Sequence, residues 1–125
     1  MKKDVMIFIR GKHAYIIGAA TYGYFFNWCK KLKKVYGTLE YITAFNIGNG
    51  CPNLTEIRIA SARSSFQLSG AKSLSINSIL YLINRTEAGR KNTYTLHADA
   101  YARAMADADI QAALAAKPNV SLASA

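Results

Sequence analysis

Two cysteines and two histidines are the side chains that could hold a metal ion or act as a nucleophile and its base. Cys29, Cys51, His13 and His97 form no C-x-x-C or H-x-x-x-H pair, and the sequence contains no G-x-S-x-G. A zinc site needs ligands that converge, and a hydrolytic site needs a nucleophile beside a base. We therefore expect no enzymatic activity, no catalytic residue and no cofactor, and we keep zinc binding only as a minor alternative.

Lysines and aromatic rings share one segment of the sequence, and this pattern could bind single-stranded nucleic acid. Cations contact phosphates and rings stack on bases in such sites. The segment contains Lys30, Lys31, Lys33 and Lys34 around Leu32, with Tyr24, Trp28 and Tyr36 nearby. The net charge is +9, and positions 1–34 carry eight Lys and Arg against one acid. Binding of nucleic acid or an anionic surface through Lys30–Lys34 is therefore the alternative function.

A cysteine-led phrase that occurs twice indicates the architecture that must position these side chains. The sequence CKKLKKV at 29–35 returns as CPNLTEI at 51–57, with the apolar positions kept. A period of about 20–30 residues is typical of solenoids, whose coils bury their apolar faces by stacking. The x positions of C-x-x-L-x-x-[V/I] then face water. Because Pro, Asn, Thr and Glu replace the lysines in the second copy, a solvated ridge is favoured over a nucleic-acid stripe.

The two cysteines take equivalent positions in this repeat. Stacked coils would bring Cys29 and Cys51 about 5 Å apart, which would allow a disulfide. A buried thiol is favoured, since free cysteine behaves as a small hydrophobe. Free thiols and a disulfide both stay open.

The pattern C-x-x-L-x-x-[I/V]-x-I, with I-x-x-A-F before it, resembles the Treponema-type (BspA-like) leucine-rich repeats of bacterial surface proteins. The segments SLSINSILYLI and YTLHADAYARAM resemble the C-terminal tails of Bacteroidetes repeat proteins. The resemblance implies a leucine-rich-repeat solenoid at the cell surface or secreted, and Ala60 departs from it where the family usually has proline. The residues that carry the repeat are Phe26, Cys29, Leu32, Val35, Ile42, Ala44, Phe45, Cys51, Leu54, Ile57 and Ile59.

After position 72 the pattern changes from short strands to helices alternating with strands. Apolar residues at i, i+3, i+4 and i+7 predict a helix, and alternating ones predict a strand. The predicted elements are a strand at Phe66-x-Leu68, a helix capped by Ser75 or Asn77 with the apolar face Ile76, Ile79, Leu80 and Ile83, a strand at Tyr94-x-Leu96-x-Ala98, a helix capped by Asp99, a further helix carrying Ile110, Ala113 and Leu114 and ending at Lys117-Pro118, and a strand at Val120-x-Leu122.

The N-terminal third contains two apolar segments that need separate interpretation. No clear signal peptide is present, because Arg10 and Lys12 interrupt the apolar run after Met1. The uncharged stretch at 14–29 contains two glycines and is too short for a comfortable membrane span. Lipid association through 15–28 remains a third alternative. Val5-x-Ile7-x-Ile9 could be an edge strand, so we expect self-association or a larger parent repeat protein.

Together these patterns predict an α/β protein: a short right-handed leucine-rich-repeat-like solenoid of about three coils with an α/β C-terminal cap. One domain is expected, with repeat coils at 1–72 and a helix-strand-helix-strand cap at 73–125. The predicted function is non-enzymatic recognition of a protein or glycan. The candidate binding residues are Lys30, Lys31, Lys33, Lys34, Tyr36, Arg58 and Arg63.

Overall fold

The structure is a computed structural model. It describes residues 6–10, 13–17, 33–37, 45–46, 51–58 and 65–125, and for 6–10, 13–17, 35–37 and 45–46 it describes the backbone. Within these ranges the protein is mixed α/β, with eight strands and three helices. The elements are β1 (Met6–Arg10), β2 (His13–Ile17), β3 (Lys34–Gly37), β4 (Phe45–Asn46), β5 (Glu56–Arg58), β6 (Phe66–Leu68), α1 (Ile76–Arg85), β7 (Asn92–Leu96), α2 (Ala98–Met105), α3 (Ala108–Ala116) and β8 (Val120–Ser124).

The strands form two four-stranded sheets. In the first, with the order β1-β2-β3-β5, β1 is antiparallel to β2 and the other neighbours are parallel. In the second, with the order β4-β6-β7-β8, all neighbours are parallel. The register between successive parallel strands pairs Val35 with Ile57, Phe45 with Phe66, Phe66 with Tyr94, and Tyr94 with Leu122.

The apolar positions of the second cysteine phrase lie in the hydrophobic core. Cys51, Leu54 and Ile57 have no exposed surface. Cys51 has a positive φ of 59°, which is uncommon for a residue with a Cβ. The first copy lies outside the described residues up to Leu32, so its burial, and the choice between thiols and a disulfide, stay predictions.

Alternation along β6 and β7 continues this core. Phe66 and Leu68 are buried on either side of exposed Gln67, and β7 buries every second residue. The rings of Phe66 and Tyr94 lie 5.3 Å apart, tilted by 54°. Half-buried and exposed side chains occupy the other face, as expected for a sheet packed on one side.

Helix α1 begins where the sequence predicts it. Ser75 is the N-cap, and its hydroxyl accepts a hydrogen bond from the Ser78 amide at 3.1 Å. The buried face differs in part from the predicted one: Ile79 and Ile83 are buried, Ile76 and Leu80 are only partly buried, and Ser78 and Leu82 are buried as well. The face is rotated because Ser78 packs against β5, which the local apolar pattern does not contain.

Two predictions about the next elements are wrong. Asp99 does not cap α2; His97 does, accepting the Asp99 amide on Nδ1 at 3.0 Å. Ala98 belongs to the helix and not to the preceding strand, which ends at Leu96. The helix begins earlier than predicted because the His97 imidazole accepts the amide of Asp99, so Asp99 lies inside the first turn rather than at the cap.

The remaining C-terminal elements follow the sequence prediction. Asp107 caps α3 by accepting the Ile110 amide at 3.0 Å, and Ile110 is fully buried. The helix ends at Ala116, directly before Lys117-Pro118, and β8 follows. The division of the chain at position 72 stays a prediction.

Side chains of the later elements bind backbone carbonyls of earlier parts of the chain. The Arg103 guanidinium donates to the carbonyls of Lys72 and Leu74 at 2.9 and 3.0 Å. Lys117 Nζ donates to the carbonyls of Asn84 and Thr86, both at 2.9 Å. The second pair satisfies carbonyls at the C-terminal end of α1 and thereby fixes the position of that helix end.

Candidate recognition surface

Helix α1 closes the outer edge of the first sheet beside β5. The Ser78 hydroxyl accepts a hydrogen bond from the Ile57 amide at 2.7 Å and donates one to the Ile57 carbonyl at 3.2 Å. One buried side chain thus satisfies both backbone groups that would otherwise be offered to a further strand. This pairing fixes the helix against the strand and decides which helical residues lie near Arg58.

Tyr81 and Arg85 follow Ser78 at positions i+3 and i+7 of the helix. Residues at this spacing share one face, so both side chains are carried toward the same strand. The guanidinium carbon of Arg85 lies 5.0 Å from the centroid of the Tyr81 ring, and that of Arg58 lies 5.8 Å from it. Both distances are within the range of cation–π attraction.

Glu56 connects Arg58, on β5, with Lys34, on β3. Its carboxylate forms an ion pair with the Arg58 guanidinium, and a second oxygen lies 3.7 Å from Lys34 Nζ. The side chain of Glu56 is 18% exposed, whereas those of Lys34 and Arg58 are 39% and 53% exposed. Partly solvated pairs of this kind add little stability, so the group is better understood as a charged surface than as a structural support.

We call Lys34, Glu56, Arg58, Tyr81 and Arg85 the β5–α1 cluster. Three cations and one carboxylate give it a net charge of +2. Exposed Lys33 lies next to it in the chain, and its carbonyl accepts hydrogen bonds from the Thr55 amide and hydroxyl at 2.8 and 3.1 Å. These bonds join the residues just before β3 to those just before β5, so the basic groups of the cluster lie on an ordered backbone.

The structure brings only some of the predicted binding residues together. Lys34 and Arg58 meet at Glu56, and Lys33 is exposed beside them. Tyr36 is the register partner of Arg58, and the structure describes only the backbone of Tyr36. Lys30, Lys31 and Arg63 also lie outside the described residues, so their part in any site stays a prediction.

Sequence reasoning missed Tyr81, Arg85 and Glu56. The i, i+4 spacing of Tyr81 and Arg85 was available as a signal that the two share a helix face. The sequence does not show which element packs beside that face, because contact with β5 depends on the hydrogen bonds of buried Ser78.

Other kinds of site find no support within the described part of the chain. It contains no group of three or more His, Cys, Asp or Glu side chains placed to hold a metal ion. Over the same residues, no helix has the length and apolar character needed to cross a membrane. No family model, curated protein or solved structure matches the chain.

Proposed function

We propose that the chain is a non-enzymatic, leucine-rich-repeat-like module that presents a surface for recognition of a protein or glycan. In this proposal positions 1–72 form about three short coils of a right-handed solenoid, and positions 73–125 close it as an α/β cap. The module acts by holding side chains in a fixed arrangement, and it requires no cofactor.

The observation that carries the proposal is the register of the parallel strands. Val35 pairs with Ile57, and the later strands pair Phe66 with Tyr94 and Tyr94 with Leu122. A chain that advances by one strand for every 20–30 positions, roughly as this one does, is the kind that builds stacked coils. The offset that pairs Val35 with Ile57 also equals the period of the cysteine phrase.

The distribution of side chains along this backbone supports a role in binding. Core positions of the second phrase are fully buried, whereas the β5–α1 cluster lies at the surface. Ser78 joins helix α1 to β5 by hydrogen bonds, and Lys117 donates hydrogen bonds at the C-terminal end of the helix. The backbone that carries the β5–α1 cluster is therefore fixed at both places. Such pre-ordering reduces the entropy that binding would otherwise cost.

The test is a binding screen of the full chain against three defined sets of probes. These are a combinatorial peptide library, a glycan array, and single- and double-stranded DNA oligonucleotides. We expect peptide or glycan ligands whose affinity falls less steeply with salt than the affinity for an oligonucleotide would, because they lack the row of phosphates whose counterions nucleic-acid binding releases. Binding restricted to oligonucleotides, or no binding to any peptide or glycan, would overturn the proposal.

A quadruple variant separates the proposal from the nucleic-acid alternative. Lys30, Lys31, Lys33 and Lys34 are changed together to Glu. Nucleic-acid binding through these lysines would be abolished, and in the unmodified chain it would fall steeply with salt. A second variant changes only Lys30 and Lys31 to Glu and leaves Lys33 and Lys34 beside Glu56 unchanged. Our proposal expects this double variant to retain the peptide or glycan ligand.

Self-association is part of the same proposal. β8 is an edge strand of the second sheet. Its sequence, Val120-Ser-Leu-Ala-Ser124, has neither the charged residue nor the proline that prevents many edge strands from pairing with another chain. We expect light scattering to show a mass that rises with protein concentration. A strictly monomeric mass at high concentration would contradict this expectation.

A further inference from the structure

The guanidinium of Arg85 is held in place at the surface without a carboxylate partner among the described residues. Its guanidinium carbon lies over the Tyr81 ring, 5.0 Å from the ring centroid, and its side chain is exposed at the last residue of α1. An arginine in this state has already lost part of the side-chain freedom that binding would otherwise remove.

The neighbouring Arg58 illustrates which chemistry this site accepts. Its guanidinium lies over the same ring and forms an ion pair with the Glu56 carboxylate. A planar guanidinium matches a carboxylate with two parallel hydrogen bonds, and charge-assisted bonds of this kind are among the strongest in proteins. Arg85 offers the same donors beside a net positive charge, so a second carboxylate from outside the chain would complete the pair.

Two observations argue against a nucleotide or a sugar at this position. Bases and sugar rings bind aromatic side chains by stacking on the ring face, and here the guanidinium groups of Arg58 and Arg85 lie over the Tyr81 ring. A phosphate backbone would also bring negative charge toward the Glu56 carboxylate, which lies between Lys34 and Arg58. An acidic peptide contacts Arg85 through one carboxylate at the end of a side chain and has an uncharged backbone, so it needs neither the ring face nor a charged backbone beside Glu56.

We propose that Arg85, held over the Tyr81 ring, binds a carboxylate side chain in an acidic segment of a partner protein. The inference rests on the proposed recognition function and narrows it to a partner of stated charge. The overall net charge of +9 favours approach of such a segment, and Arg85 supplies the specific contact.

The test measures binding of a rhodamine-labelled hexaglutamate peptide to the full chain by fluorescence anisotropy in about 50 mM salt, where screening is weak. Hexaglutamine is the uncharged control peptide. We expect Arg85→Gln to weaken hexaglutamate binding about tenfold, which is the loss of one charge-assisted interaction. Arg90→Gln is the matched control, since it removes the same charge from an exposed arginine in the next turn, and we expect a change of less than about twofold.

Two further variants separate the guanidinium geometry from its charge. Arg85→Lys keeps the charge but not the two parallel donors, so most of the affinity should still be lost. Tyr81→Phe keeps the ring and should bind normally, whereas Tyr81→Leu removes the ring under the guanidinium and should weaken binding. Far-UV circular dichroism of each variant checks that α1 is retained.

Several outcomes would overturn the inference. Equal losses for Arg85→Gln and Arg90→Gln would reduce the effect to net charge, as would full binding by Arg85→Lys. Absence of hexaglutamate binding would refute the inference while leaving the recognition function to be decided by the peptide and glycan screen. If Arg85→Gln weakens binding of a dodecathymidylate more than that of hexaglutamate, the ligand is a phosphate chain and not an acidic segment.

Discussion

Replacing Tyr94 with phenylalanine tests the buried polar chain that supports the C-terminal end of α1. Asn92 Nδ2 donates to the Tyr94 hydroxyl at 3.2 Å, and Thr86 Oγ1 donates to the Leu82 carbonyl at 2.8 Å. Because the single Thr86 proton is engaged there, the Tyr94 hydroxyl is the donor in its own hydrogen bond with Thr86. The four groups thus form one directed series from Asn92 to the helix carbonyl.

The expected cost follows from what the substitution removes and what it keeps. Phenylalanine preserves the ring contact with Phe66 but loses both hydrogen bonds of the phenol. Each net hydrogen bond contributes about 1 kcal/mol, and Tyr94 is only 1% exposed, so water does not replace them. We expect the free energy of unfolding to fall by about 2 kcal/mol. For a chain of this length that corresponds to a decrease of about 8 °C in Tm.

Urea denaturation followed by circular dichroism measures this loss. Tyr101→Phe is the matched control, because Tyr101 is half-buried and no side-chain hydrogen bond of its hydroxyl is seen in the described residues; its effect should stay within about 0.5 kcal/mol. A double-mutant cycle with Thr86→Val should give a coupling of at least about 0.5 kcal/mol. A Tyr94→Phe variant as stable as the unmodified chain, or a coupling of zero, would refute the reasoning.

The same hydroxyl makes stability depend on alkaline pH. Burial raises the pKa of Tyr94 above its ordinary value of 10.0, and the hydrogen bonds to Thr86 and Asn92 oppose this in part. The folded state therefore keeps its proton when the unfolded state begins to lose it. Tyr94 stabilisation is present below about pH 10 and is lost as pH rises through the folded pKa, by up to about 1.4 kcal/mol per pH unit. Tyr94→Phe should lack this component, and equal alkaline slopes for the two chains would contradict it.

Two other substitutions test how α1 and α3 are anchored. Ser78→Ala leaves the Ile57 amide without its acceptor and should lower the free energy of unfolding by about 2 kcal/mol in urea titration, whereas exposed Ser73→Ala should change it by less than about 0.5 kcal/mol. Asp107→Ala removes the cap on the Ile110 amide and should cost about 1 kcal/mol by thermal unfolding, while Asp107→Asn, which can still cap, should cost little; equal losses for the two would argue against capping.

Much of the C-terminal fold was accessible from sequence because its signals are local. A serine before an apolar helical face gives the start of α1, and Lys117-Pro118 gives the end of α3. Alternation of apolar residues gives β6, β7 and β8. The prediction failed at His97, where a less common capping residue extended α2 toward its N-terminus.

Only some residues of the candidate site could be predicted from the sequence, and the reason is physical. Arg58 and Lys34 were recognisable as exposed charges beside buried repeat positions. Their partner Tyr81 was not, because it lies far from Arg58 in the sequence and reaches it through a helix whose rotation is fixed by Ser78. A serine inside a helical pattern gives no sign that its hydroxyl will form hydrogen bonds with the backbone amide and carbonyl of an edge strand.

The sequence by itself determined most of the C-terminal elements, the positions of the cysteine phrase that are buried in its second copy, and an excess of positive charge. These depend on residue type and spacing within a few turns of chain. Only the tertiary structure decided which charges stand together, since that requires the registers between strands and the docking of α1 on β5. The lysine segment that first suggested chemistry therefore meets Glu56 through Lys34, and Arg85 lies over the Tyr81 ring on a helix whose sequence pattern predicted only a core face.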